Sequence, residues 1–151
     1  MRYGHEDGTH WVPAEVNVST RPGWFYHASE DHKVKTLPQL LDIYYQSIGR
    51  NGLSLINFPI DKRGLIHPND SAQMVKLQAA VEADFAHNVA EKAKAEASNV
   101  RGGSRTYRAT NVTDSNKETY WATDDSVTQA SLTITLDKPT AINRFLVEEY
   151  I

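Results

Sequence analysis

The sequence predicts an α/β segment that gives way to an all-β one. Two observations carry this. Between Trp24 and Phe58 an apolar run, a helical repeat and a second apolar run follow one another, the order of a strand–helix–strand unit. Beyond Ala97 the period drops to two, with Leu132, Ile134 and Leu136 alternating with Ser131, Thr133 and Thr135. The expected boundary therefore lies in the polar, glycine-containing stretch after Ala97, dividing the chain into residues 1–96 and 97–151. The chain opens on a turn-like run and closes on Arg144 to Ile151, which reads as a strand, so a piece of a longer protein is expected.

At 151 residues with a net charge of −3, the chain has the composition of a globular protein, and no apolar run approaches membrane-spanning length. The acidic balance argues against nucleic acid as a partner. The absence of cysteine excludes disulfide scaffolds and cysteine-based zinc sites.

The elements follow in order. Trp24-Phe25-Tyr26 reads as a strand preceded by a dense patch that holds Trp11, Glu15 and Arg21. The loop Ala28–Lys35 carries His32, Glu30 and Asp31 beside His27, without the spacing that converges ligands on one metal ion. Thr36 is placed as an N-cap, with Pro38 tolerated in the first turn. Leu37, Leu40, Leu41, Tyr44 and Ile48 then share one helical face. Gly49 to Gly52 ends that helix, since glycine and asparagine accept the left-handed conformation. Leu53–Phe58 reads as a strand buried on both faces. A second helix is expected from about Asn69–Ser71 to Lys94, with Met74, Leu77, Val81, Phe85 and Val89 facing inward. The strand at 132–136 is followed by a turn at Asp137–Pro139 and another strand from Ile142.

The run from Trp11 to His27 fills every fixed position of Trp-x-Pro-x-Glu-x-x-x-Ser-x-Arg-x-Gly-Trp-Phe-x-His, and in this it resembles the family 29 α-L-fucosidases. Leu40 to Gly52, followed by Asn57 at a strand end, extends the resemblance, which is close from about Gly8 to Asp70. Farther on, Asn111 to Thr123 resembles the opening of a discoidin-like, galactose-binding β-sandwich, with Ser115 standing where glycine is common. The resemblance implies the last strand–helix units of a (β/α)8-type barrel followed by the first strands of a β-sandwich, both incomplete. It implies a retaining hydrolase for terminal α-linked L-fucose that needs no cofactor, fucosylated glycans as partners, and a secreted or periplasmic parent. The aspartate nucleophile and the acid/base glutamate are then expected upstream, which leaves these 151 residues inactive alone. The rival reading is a non-catalytic carbohydrate-binding or adhesion protein.

The residues themselves fit sugar chemistry. The C–H face of a sugar stacks on an indole while its hydroxyls take directed hydrogen bonds, so Trp24 is the expected pocket wall. Three roles stay open for Glu15: bonding to substrate hydroxyls, pairing with Arg21, and acid/base catalysis. Glu6 is a weaker acid candidate in a short motif. Arg21 is expected near substrate. Asn57, at the carboxyl end of a strand, either touches substrate or fixes the loop beyond. Asp114, Asn116 and Thr119 either hold a structural calcium ion or form an ordinary turn before Trp121. Asn17, Asn69 and Asn111 head formal N-glycosylation triplets.

Overall fold

A computed structural model describes residues 5, 7–10 and 12–150. Trp11 and Glu6 lie outside them. The chain divides into two compact units, Met1–Ala83 and Asp84–Ile151.

In the first unit, β1 (Glu15–Ser19) and β2 (Leu53–Asn57) pair in parallel, in register from Glu15 opposite Leu53 to Ser19 opposite Asn57. Helix α1 (Leu37–Ser47) connects them. The strand–helix–strand unit therefore exists, but its first strand is not Trp24–His27. Val16 and Val18 alternate with Glu15 and Asn17 in the period of a half-buried strand, whereas Pro22 and Gly23 interrupt the chain before the aromatics. Trp24 and Phe25 lie on a bend and are 50% and 79% exposed.

Thr36 caps α1 as expected: its backbone N–H donates to Gln39 Oε1 at 2.9 Å, half of a capping box. Leu40 of α1 is wholly buried. After a short 3-10 turn at Ile48–Arg50, Asn51 takes the left-handed conformation with φ 59°. β2 is not buried on both faces, since Leu53 and Leu55 are exposed; β1 is its one ladder partner among the described residues.

Helix α2 (Pro68–Asp84) begins as expected and ends ten residues early. The run Glu91–Glu96, rich in good helix formers, instead enters β3 (Lys94–Ala97), which pairs antiparallel with β4 (Leu132–Thr135). Cross-strand pairing overrides intrinsic propensity here. An Asx turn in which Ala90 N–H donates to Asn88 Oδ1, and Lys92 at φ 59°, set the change of direction. Phe85 and Val89 thus lie beyond the helix and Met74, Phe85 and Val89 are exposed rather than core. The expected boundary at 96 and 97 falls inside β3.

In the second unit the strand at 132–135 matches the alternating pattern. No strand forms from Ile142: Ile142, Phe145, Leu146, Val147 and Tyr150 are exposed, with no neighbouring ladder among the described residues. No helix among the described residues is long and apolar enough to cross a membrane.

Candidate functional site at the carboxyl ends of two parallel strands

Parallel strands send their carboxyl ends, and the loops that follow, to one side of a sheet, where α/β proteins build their sites. Here that side carries Ser19, Asn57 and the aromatic bend. Thr20 N–H donates to Asn57 O at 3.0 Å, one step beyond the ladder. The Asn57 amide then donates to Ser19 Oγ at 3.1 Å and to the Trp24 carbonyl at 3.0 Å. Asn57 therefore fixes the loop at the backbone of the half-exposed Trp24.

Beneath the bend lies a polar cluster. Arg21, 1% exposed, grips the wholly buried Asp70: Nε lies 3.2 and 3.1 Å from the two carboxylate oxygens and Nη2 lies 2.6 Å from Oδ2. Thr20 Oγ1 donates to Asp70 Oδ1 at 2.7 Å. Arg21 Nη1 reaches the His27 carbonyl at 3.3 Å and stands 2.9 Å from Asp31 Oδ1. The guanidinium also lies 4.8 Å from the centre of the Tyr26 ring. Asp70, then burial in the opposite sense, then Asp31 act on Arg21, and the net effect raises its pKa. Asp31 draws in two more groups, with Tyr26 Oη donating to Oδ2 at 3.3 Å and His67 Nε2 at 3.4 Å. Burial, followed by Asp31, raises the Tyr26 phenol.

Arg21 is therefore a clamp between the end of β1, the bend and the start of α2; the sequence places it near substrate, and the structure turns its side chain inward onto Asp70 and Asp31. Of the three roles open to Glu15, pairing with Arg21 is not the one formed: the ion-pair partners of Arg21 are Asp70 and Asp31, since a buried carboxylate outcompetes an exposed strand residue. Glu15 is exposed at the start of β1 and forms no ion pair among the described residues. Hydrogen bonding to substrate and acid/base work both remain open to it.

Asp70 and Asp31 carry this arrangement and were not singled out for it by sequence reasoning. One signal existed: an acid in the first turn of a helix, which is favourable there, preceded by a histidine and a proline. Nothing in the spacing connects it to Arg21, forty-nine positions away.

A second acid–base pair shapes the loop after β2. Arg63 forks onto Asp61, Nε at 2.9 Å and Nη2 at 2.5 Å from Oδ2, and holds that carboxyl to about 2. In the second unit the oxygens expected as calcium ligands are committed to the turn itself. Asp114 Oδ1 accepts from Asn116 N–H at 2.9 Å, Asp114 Oδ2 accepts from Thr119 Oγ1 at 2.8 Å, and Asn116 Oδ1 accepts from Glu118 N–H at 3.0 Å. The Asn116 N–H and the Thr119 hydroxyl together hold the Asp114 carboxyl below its ordinary value. Ser115, where glycine is common in the resembling motif, has φ 61°. Trp121 Nε1 donates to the Asn99 carbonyl at 2.9 Å, which anchors the strand-like stretch behind the turn.

No protein-family model matches the chain. A rice (Oryza sativa subsp. japonica) protein assigned as α-L-fucosidase 1 is 38% identical over 152 residues, covering 99% of this chain and 29% of its own. Arabidopsis thaliana α-L-fucosidase 1 is 42% identical over 120 residues, covering 79% of this chain and 23% of its own. A Ruminococcus gnavus family 29 fucosidase, solved in complex with fucose, superimposes with a TM-score of 0.81 at 33% identity, covering 91% of this chain and 27% of that one. The chain thus spans less than a third of the length of the curated relatives it matches; those two relatives carry the name α-L-fucosidase 1, and the Ruminococcus gnavus protein is a family 29 fucosidase.

Proposed function

We propose that this chain supplies the aromatic, fucose-facing loop of a retaining α-L-fucosidase that releases terminal α-linked L-fucose from glycans. The observation that carries the reading is Trp24, half exposed at the carboxyl ends of β1 and β2 and held there by the Asn57 amide. A 6-deoxy sugar presents a methyl group and a C–H face, and an indole is their natural partner. Glu15, exposed on β1, would take hydroxyls of the bound sugar or of its neighbour. Retention of configuration needs a nucleophile and an acid/base about 5–5.5 Å apart. In this reading both lie on barrel strands outside the matched segment, so the present residues recognise and orient the sugar. Unit 2 would open a discoidin-like sandwich behind the barrel, and a structural calcium ion at Asp114, Asn116 and Thr119 would have to compete with the turn for its oxygens.

The test is binding of L-fucose to the 151-residue chain, followed by tryptophan fluorescence and ligand-observed NMR. Trp24→Ala is expected to weaken binding by about 1–3 kcal/mol, or roughly 5- to 150-fold. An aryl α-L-fucoside is expected to bind without release of its phenol. Equal affinity of the wild type and Trp24→Ala would remove Trp24 from the site.

A further inference from the structure

Three Asn-X-Ser/Thr triplets, headed by Asn17, Asn69 and Asn111, play no part in the proposed sugar site. An N-linked glycan needs its amide nitrogen at the surface and room for the first sugar, and it replaces one of the two amide hydrogens. Asn111 fails on these counts. It is 6% exposed, and its nitrogen spends both hydrogens, on the Thr106 carbonyl at 2.8 Å and the Tyr120 carbonyl at 2.9 Å. Asn17 is exposed but sits in the middle of β1, its backbone held in the ladder opposite Leu55, and it does not line the cleft beside Asn69.

Asn69 differs. It is exposed in the first turn of α2, and its amide donates one hydrogen bond, to the Asp31 carbonyl at 2.8 Å. One hydrogen is therefore left for replacement. The other two members of the triplet turn inward, Asp70 onto Arg21 and Ser71 Oγ onto the Pro68 carbonyl at 3.1 Å. Beside Asn69 an open cleft of about 380 Å³ is lined by His32, Thr36, Gln73 and Lys76 among others. Its walls mix donors and acceptors, which suits the hydroxyl and acetamido groups of an amino sugar.

We propose that Asn69 is an N-glycan acceptor whose first sugar rests in this cleft, and that Asn111 is not one. In the modification, Asn69 Nδ2 attacks the anomeric carbon of a polyprenyl-diphosphate-linked oligosaccharide. The N–C bond forms while the C–O bond to the diphosphate breaks; Nδ2 gives up one proton and the lipid diphosphate leaves. The remaining N–H can still bond to the Asp31 carbonyl. A glycan on Asn111 would break one of its two bonds and keep the second unit from closing.

The chain would be secreted from a eukaryotic host behind an added leader. Its sites would then be mapped by the Asn-to-Asp conversion that enzymatic deglycosylation leaves. Conversion is expected at Asn69 and not at Asn111. Asn69→Gln and Ser71→Ala should each abolish the Asn69 glycan while the thermal midpoint of the deglycosylated chain stays unchanged, and Ser71→Thr should retain the glycan. Secreted wild type that is unconverted at Asn69, or converted at Asn111, overturns the proposal.

Discussion

Arg21 and Asp70 show what a single buried pair can organise. Each is expensive to take out of water, and the cost is offset only when geometry and further hydrogen bonds are good. Here Arg21 makes three bonds that reach both carboxylate oxygens, Thr20 adds a fourth, and Asp31 balances the far side of the guanidinium. Breaking one partner leaves a buried charge alone. Asp70→Ala is therefore expected to destabilise the first unit by about 3–5 kcal/mol. Since a domain's whole stability is on the order of 5–15 kcal/mol, urea unfolding of the variant should show that unit largely lost or its midpoint sharply lowered. A midpoint within error of wild type would mean that Arg21 finds other partners and that the clamp does not hold the bend. The same pair turns Arg21 inward, although it sits in the most specific motif of the sequence.

At the scale of elements, turns decide where the strands and helices stop. Asn51 ends the first helical stretch in the left-handed conformation at modest cost, because asparagine tolerates it. Ser115 adopts the same region between Asp114 and Asn116 without that tolerance. Its Cβ crowds the following carbonyl, which is the physical reason a glycine suits this position. Ser115→Gly is expected to raise the stability of the second unit by about 1 kcal/mol, read as a higher denaturation midpoint. A lower midpoint would show that unfolded-state entropy of the new glycine outweighs the relieved strain. The second helix teaches the converse lesson. Its charged, alanine-rich continuation reads as helix, yet Lys94–Ala97 is taken into an antiparallel ladder with Leu132–Thr135, far downstream in the sequence. Local propensity is worth tenths of a kcal/mol per residue, and a ladder partner outweighs it.

For the molecule as a whole, acid is the condition that tests both units at once. Arg63 holds Asp61 to about 2 in the first unit. In the second, backbone N–H donors from Asn116 and Gly102 lead the effects that hold Asp114 and Asp124 below their ordinary 3.8. Each of these groups is more acidic folded than unfolded. Their contribution is therefore fully present above the unfolded value and is lost as pH falls through the folded one. Denaturation midpoints are expected to be flat down to about pH 5 and to fall between roughly pH 4 and 2. Asp61→Asn should flatten part of that fall in the first unit and leave the second unit's part in place. A midpoint that does not change between pH 5 and 2 would contradict these ionised pairings.

Much of this chain is legible in its residues alone. Thr36, Pro38 and the Leu40 face specify α1 because capping and the 3.6-residue period act within a few positions. The alternation from Ser131 to Leu136 specifies β4 for the same local reason, and the string from Trp11 to His27 already points to sugar chemistry. Asn57 at a strand end was legible as a candidate; that its amide holds the Trp24 carbonyl was not. What the tertiary structure alone decided are the long-range choices: Asp70 rather than Glu15 for Arg21, β4 rather than helix for Lys94–Ala97, and a bend rather than a strand for Trp24. In each, partners tens of residues apart compete for the same group, and which one wins depends on burial and geometry that exist only once the chain has folded.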